Sequence, residues 1–233
     1  MTVRPWQEEW FRLGVAHQSM IVWRGVEAQH IVSTMRLVDT TAEQDELERI
    51  LERSKPPMPI TVNPKHYLLA TPFRYRPHHE SRFRDRASLG VWYGAQTLRA
   101  ACAEVSYWRW RFIMDSAPLL DSELLTEHTF FQAKVEGEAI NLTDPPWVAA
   151  RPHWVHLSDY SATHAVANEA RDKNVQWILY ESVREPECRC AAVLDVNALE
   201  TVAGGNTQQT WHCKSTRQSV MMAHGTDKFL WDF

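Results

Sequence analysis

The stretch Ser81–Glu104, SRFRDRASLGVWYGAQTLRAACAE, decides how the chain is read. It opens on a basic cluster, Arg82, Arg84 and Arg86, and closes on an acid, Glu104. Between them GVWY (90–93), β-branched and aromatic with glycines at 90 and 94, predicts a short buried strand. From Thr97 the pattern changes. Leu98, Ala101, Cys102, Val105 and Trp108 recur at three- and four-residue steps, the spacing of a helix with Thr97 as its N-cap. Glu104 falls beside Ala101 and Val105 in this helix, and a Glu is seldom buried without a partner. A strand, turn and helix that bring an Arg, a Tyr and a Glu together make a site for a ligand carrying both negative charge and a ring. A solvated helix face and a solvated basic loop account for the same spacing, so pattern alone leaves both readings open.

Toward the N-terminus, residues 5–18 read as an amphipathic helix with Trp6, Trp10, Leu13 and His17 on one side. MIVWRGVE (20–27) reads as a strand whose apolar run ends at Arg24, which is either a strand-end surface charge or a residue pointing into a cleft. TTAEQDELERILER (40–53) predicts a helix, with a Thr cap, acids in the first turn and arginines in the last. SKPPMPITVNPK (54–65), interrupted by prolines, reads as a connection, and HYLLATPFRYRP (66–77) as a strand or extended arm delivering Arg74 and Arg76. HHE (78–80) is read as loop histidines, since adjacent positions cannot share one helix face. Downstream, 128–137 and 138–144 predict two strands around a turn at Gly137, and 158–173 a helix capped by Ser158 or Asp159. Residues 175–183 and 190–196 read as buried strands, and 210–215 as one more.

The 233 residues suffice for a sizeable core, and a net charge of −4 argues against a general nucleic-acid or membrane-surface binder. Eleven Trp and twelve Pro against eight Gly indicate a compact fold rather than a disordered one. No apolar run is long enough to cross a bilayer. MTVRPWQEEWFRLG carries charges where a secretion signal has its apolar core, so Cys102, Cys188, Cys190 and Cys213 are expected as reduced thiols in a cytoplasm. The CRC pair and His212-Cys213 lack the spacing of the usual zinc motifs, and no metal is expected. There is no strict βαβ alternation, Gly-rich phosphate loop or G-x-S-x-G elbow, which argues against a dinucleotide-binding Rossmann fold and a serine hydrolase.

The segments LLATPFRYRP, SRFR, GVWYGA, ACAEVSYWRWRF and WILYESVR, in that order, resemble the RES domain, named for recurring Arg, Glu and Ser residues. The resemblance covers roughly residues 20–200, and WRGVEAQHIVSTMRLVDT resembles the longer form of the family. It implies a single α+β domain over 1–233, with an N-terminal helical segment of about sixty residues packed on it. The implied fold is ADP-ribosyltransferase-like: split sheets around a cleft that holds NAD. The implied function is that of the toxin in a type II toxin–antitoxin pair, depleting NAD by phosphorolysis or hydrolysis, with phosphate a candidate co-substrate. Protein ADP-ribosylation and a non-catalytic interaction domain are the alternatives. The implied partner is an Xre-type helix-turn-helix antitoxin, so that the chain meets DNA only through that partner.

Carried onto this sequence, the family Arg falls on Arg82, the Tyr on Tyr93, the acid on Glu104 and the Ser on Ser182, with Arg184 beside it. The early Arg of the first strand falls on Arg24. Ser81 and Arg84 replace the family's loop glycine and asparagine, and Arg74 competes with Arg82 for the ligand. In these roles Glu104 stabilises an oxocarbenium-like state, Arg82 and Arg24 hold phosphate oxygens, Tyr93 offers a flat face, and Ser182 hydrogen-bonds the nicotinamide amide or a phosphate.

Overall fold

The structure, a computed structural model, describes residues 4–28, 34, 37–57, 66–76, 79–202 and 208–233. Two long strands organise it. β1 (Val15–Glu27) and β3 (Leu124–Asn141) pair antiparallel from Val15↔Ile140 to Glu27↔His128. β2 (Trp92–Ala95), β4 (Trp177–Glu181) and β5 (Arg189–Val193) join their free edges, in the order β1-β2-β5-β4-β3. Since β1 also pairs β3, these five strands close into a ring. The opposite end of β3 carries β7 (Gln209–Ser215), β8 (Ser219–His224) and β9 (Asp227–Asp232), while β6 (Leu199–Thr201) pairs β3 midway. The protein is thus α+β, as expected, with its two half-sheets hydrogen-bonded together through β3.

The expected helix over 5–18 shrinks to α1 (Glu9–Gly14), and the N-terminal segment feeds a strand into the main sheet. The long partner β3 overrides local helix propensity, because pairing thirteen residues satisfies more backbone groups than a further helical turn would. Of the side expected to be buried, Trp6 is buried and Leu13 is exposed, and Phe11 is buried beside Trp6. α2 (Thr41–Ser54) forms where expected, with Thr40 and Glu43 making a reciprocal capping box.

The extended arm expected over 66–77 is a helix, α3 (Tyr67–Arg74), with Pro72 inside it. A proline there deprives the carbonyl four residues earlier of its donor. That carbonyl belongs to Leu68, and the Trp92 indole N–H donates to it at 3.3 Å. Leu69, Ala70 and Phe73 bury themselves against the ring interior beside Trp92, Trp177 and Val193. Gly90 permits this approach, since a Cβ there would overlap the Pro72 carbonyl oxygen. Tertiary contacts therefore supply what the helix loses.

Nor is there a turn at Gly137: β3 runs straight through as one strand of 18 residues. Gly137 has φ +147°, and the Gln176 amide occupies the place of its missing Cβ while accepting from the Glu138 N–H at 3.0 Å. Part of the 54–65 connection and His78 lie outside the described residues.

The sheet's other face is covered by α4 (Leu98–Met114) and α6 (Ser161–Asp172), with the short α5 (Arg151–Trp154) before the latter. Thr97 caps α4 as expected, its hydroxyl accepting from the Ala100 N–H at 3.1 Å. α6 starts later than expected, at Ser161, with Tyr160 at its N-cap position and Asp159 accepting from the Ser161 N–H. Alternation along β2, β4 and β5 sends Trp92, Trp177 and Ala191 into the ring and Tyr93, Tyr180 and Cys190 toward α4.

Candidate active site

Between α4 and the Tyr93 face of the sheet lies a cavity of about 470 Å³, within the range of small-molecule sites. Its wall includes Arg24, Arg82, Tyr93, Glu104, Tyr180 and Arg184. Residues up to 160 positions apart in the chain therefore meet at one surface, brought there by strand order and not by local sequence.

Glu104 sits in the first half of α4, where Ala100 to Ala103 pack it onto the sheet. Ser182, buried just after β4, donates its hydroxyl to Glu104 Oε1 at 3.2 Å. Ser182 Oγ itself accepts the backbone N–H groups of Arg184 and Glu185 at 3.2 and 3.1 Å. The serine is thus locked by the turn after β4 with its proton aimed at the carboxylate. Burial pushes the Glu104 pKa above the usual carboxylate value, while Arg184, Arg82 and the Ser182 hydroxyl pull it back. The acid is held between two pressures, a state common at reactive sites.

Tyr93 is fixed by its phenol oxygen, which accepts from the Phe83 N–H at 3.0 Å and bonds Ser81 Oγ at 2.9 Å. Burial raises its pKa, so the phenol stays protonated at neutral pH. Arg82 is buried. Its Nη1 donates to the carbonyls of Trp154 and His156, both at 2.9 Å, and its guanidinium lies 4.9 Å from the Tyr160 ring centroid. One edge of the fork is committed to the chain behind it. Arg24 donates from Nη1 to the Tyr93 carbonyl at 2.8 Å and sits 5.1 Å over the Trp92 ring, leaving Nε buried without a partner. Burial lowers its pKa to about 10, so it remains a cation at neutral pH.

Arg184 lies 3.5 Å from the Tyr107 ring centroid, with Nε buried and unpaired. Together these groups supply one carboxylate, three cations and several flat rings to a single pocket, enough to hold an anionic ligand with an aromatic part.

A family model described as the RES domain matches residues 56–215. The chain belongs to the RES-domain family. No curated protein matches it. Among solved structures it is similar to the crystal structure of the M. tuberculosis MbcT–MbcA toxin–antitoxin complex, at 14% identity over 91% of this chain and 94% of that one. The TM-score of that superposition is 0.49, too loose to transfer residue roles.

Of the residues that the RES resemblance marked, Arg24, Arg82, Tyr93 and Glu104 line the cavity, and Ser182 stands behind Glu104. Arg74 does not line it. Its guanidinium pairs with Glu52 at 2.8 Å and donates to the Pro56 carbonyl, tying α3 to the end of α2. Between the two competing arginines, Arg82 is the one at the cavity. The sequence reading gave no role to Arg184, Tyr107, Tyr160 or Tyr180, all of which line it. Tyr180 had a signal, since it precedes Ser182 by two residues in the run WILYES, which β4 carries up to Glu181. Tyr107 and Tyr160 had none, because only the packing of α4 and α6 on the sheet turns them inward. Among the described residues no helix is long and apolar enough to cross a membrane.

Proposed function

We propose that this RES-domain protein acts as one domain, the toxin of a type II toxin–antitoxin pair, and depletes cytoplasmic NAD by breaking its nicotinamide–ribose bond. The environment of Glu104 carries the reading: a partly desolvated carboxylate, aimed by Ser182 and flanked by Arg82 and Arg184, in a cavity large enough for a ligand. NAD offers a pyrophosphate for the arginines and a positively charged nicotinamide as a leaving group.

When the bond from C1′ to the ring nitrogen breaks, its electron pair leaves with nicotinamide, which becomes neutral. Positive charge then grows on C1′ and the ring oxygen, as in glycoside cleavage. An ionised Glu104 stabilises that charge and accepts from the ribose hydroxyls. Tyr93, its phenol anchored at one end, presents a ring to the nicotinamide or ribose. Arg82 and Arg184 hold phosphate oxygens through the donors their own anchoring leaves free. Water or inorganic phosphate then bonds to C1′ through oxygen, a proton being released to solvent. No covalent enzyme intermediate is required. The partner is an Xre-type antitoxin that blocks this cleft.

Incubating the purified protein with NAD, with and without phosphate, tests the reading. Free nicotinamide plus ADP-ribose or its 1″-phosphate supports it. Label from NAD retained on protein supports ADP-ribosyl transfer instead, and no loss of NAD supports a non-catalytic domain.

A further inference from the structure

The cavity extends beyond the site of bond cleavage. Ala101, Glu104, Val105, Trp108 and Phe112 fall at three- and four-residue steps on α4, and all five line it. At 1.5 Å per residue, Phe112 stands about 12 Å along the helix from Glu104, a reach that suits a dinucleotide rather than one ribose. Trp108 and Phe112 are 44% and 52% exposed although they face a cavity, so their rings have apolar area still to cover.

Opposite them, β1 alternation places Trp23, Gly25 and Glu27 on the cavity wall. The Glu27 carboxylate is 52% exposed and takes a 2.9 Å bond from Arg109 Nη1, while Arg109 stacks at 5.3 Å on Phe112. Arg109 Nε is buried and has no partner. The floor beneath is His128, paired with Glu27 across the two strands and 3% exposed, with Nδ1 unpartnered. This end therefore combines two ring faces, a positioned carboxylate and a guanidinium neutralised by that carboxylate.

We propose that this end is the adenosine subsite, and that Glu27 selects NAD over NADP. The inference rests on the NAD reading above. With the nicotinamide ribose at Glu104, the adenosine half runs along α4 to the Trp108 and Phe112 rings, where the base stacks. The Glu27 carboxylate accepts from the 2′- and 3′-hydroxyls of the adenosine ribose, the chemistry by which acids elsewhere recognise that diol. A 2′-phosphate in the same place meets a like charge, and among the described residues lining this end the cation, Arg109, is already paired with Glu27.

Kinetics with NAD and NADP test this on wild-type protein and Glu27→Gln. The wild type favours NAD. Glu27→Gln removes the repulsion and releases Arg109, so the ratio of kcat/KM for NADP to that for NAD rises about tenfold, mainly through KM for NADP. Adding Arg109→Ala to Glu27→Gln cancels the gain, which a purely structural role for Glu27 would not produce. Glu27→Ser repeats the test with a smaller side chain. An unchanged ratio in folded variants, or a wild type that takes NADP as readily as NAD, overturns the assignment while leaving NAD cleavage intact. A wild type that consumes neither dinucleotide overturns both.

Discussion

Ser182→Ala probes the link between the turn after β4 and the acid on α4. The wild-type hydroxyl gives its proton to Glu104 and receives two backbone N–H bonds. A hydrogen bond to a charged group is worth about 1.5–3 kcal/mol net, and at 3.2 Å this one belongs at the lower end. Losing the bond therefore raises the Glu104 pKa further. The sign follows from which form the hydroxyl favours. Ser182 stabilises the carboxylate, so its removal leaves burial less opposed and protonation easier. Activity that needs ionised Glu104 then fails earlier on acidification, and the acid limb of the rate profile moves toward higher pH.

The same substitution orphans the N–H groups of Arg184 and Glu185, at about 1–3 kcal/mol for each group left buried without a partner. One such penalty lowers the melting temperature by about 2–12 °C for a chain of this length. The assay is NAD consumption from pH 4 to 9, alongside thermal unfolding. An acid limb that stays where the wild type has it, in a variant that remains folded, refutes the claim that Ser182 tunes Glu104.

Further outcomes follow from the same geometry. Glu104→Gln keeps the shape of the acid and removes its charge, so NAD loss falls by about 10²–10³-fold with an unchanged circular dichroism spectrum; a wild-type rate refutes its role. Arg82→Ala abolishes NAD loss, whereas Arg74→Ala changes the rate little and lowers stability by about 1.5–3 kcal/mol, since Arg74 bonds Glu52 and the Pro56 carbonyl away from the cavity; equal rate losses from both would contradict the placement. His128 is buried, which together with Arg109 lowers its pKa to about 4, so the folded state holds it neutral. Below the unfolded value of about 6.5 the unfolded chain takes up the proton first, so stability present at pH 7 is lost toward pH 4, by about 3 kcal/mol. Urea midpoints against pH read this, and His128→Asn should flatten the slope. Gly90→Ala drives a methyl into the Pro72 carbonyl and destabilises by about 1–3 kcal/mol or more; an unchanged urea midpoint would show that α3 does not rest on residue 90.

The sequence by itself determined the elements whose signals are local. Thr97 and the three-and-four spacing after it specify α4, the Thr40 cap specifies α2, and Trp92-Tyr93 specify a short strand, because capping and side-chain period act within a few residues. The order of the RES segments also marked Glu104, Tyr93, Arg82, Arg24 and Ser182, residues that the structure gathers at one cavity and its immediate support. What lay beyond local signals was decided by partners distant in the chain. Val15–Gln18 joins a strand because β3 lies alongside, and Pro72 stays helical because the Trp92 indole bonds Leu68. Gly137 carries no turn because Gln176 fills its side. The choice between Arg74 and Arg82 is of the same kind. Both are arginines next to a phenylalanine in basic runs, and only the packing of α3 on α2 sends one away, while the strand order brings the other to Glu104. A charge does not encode its neighbour; three-dimensional proximity does.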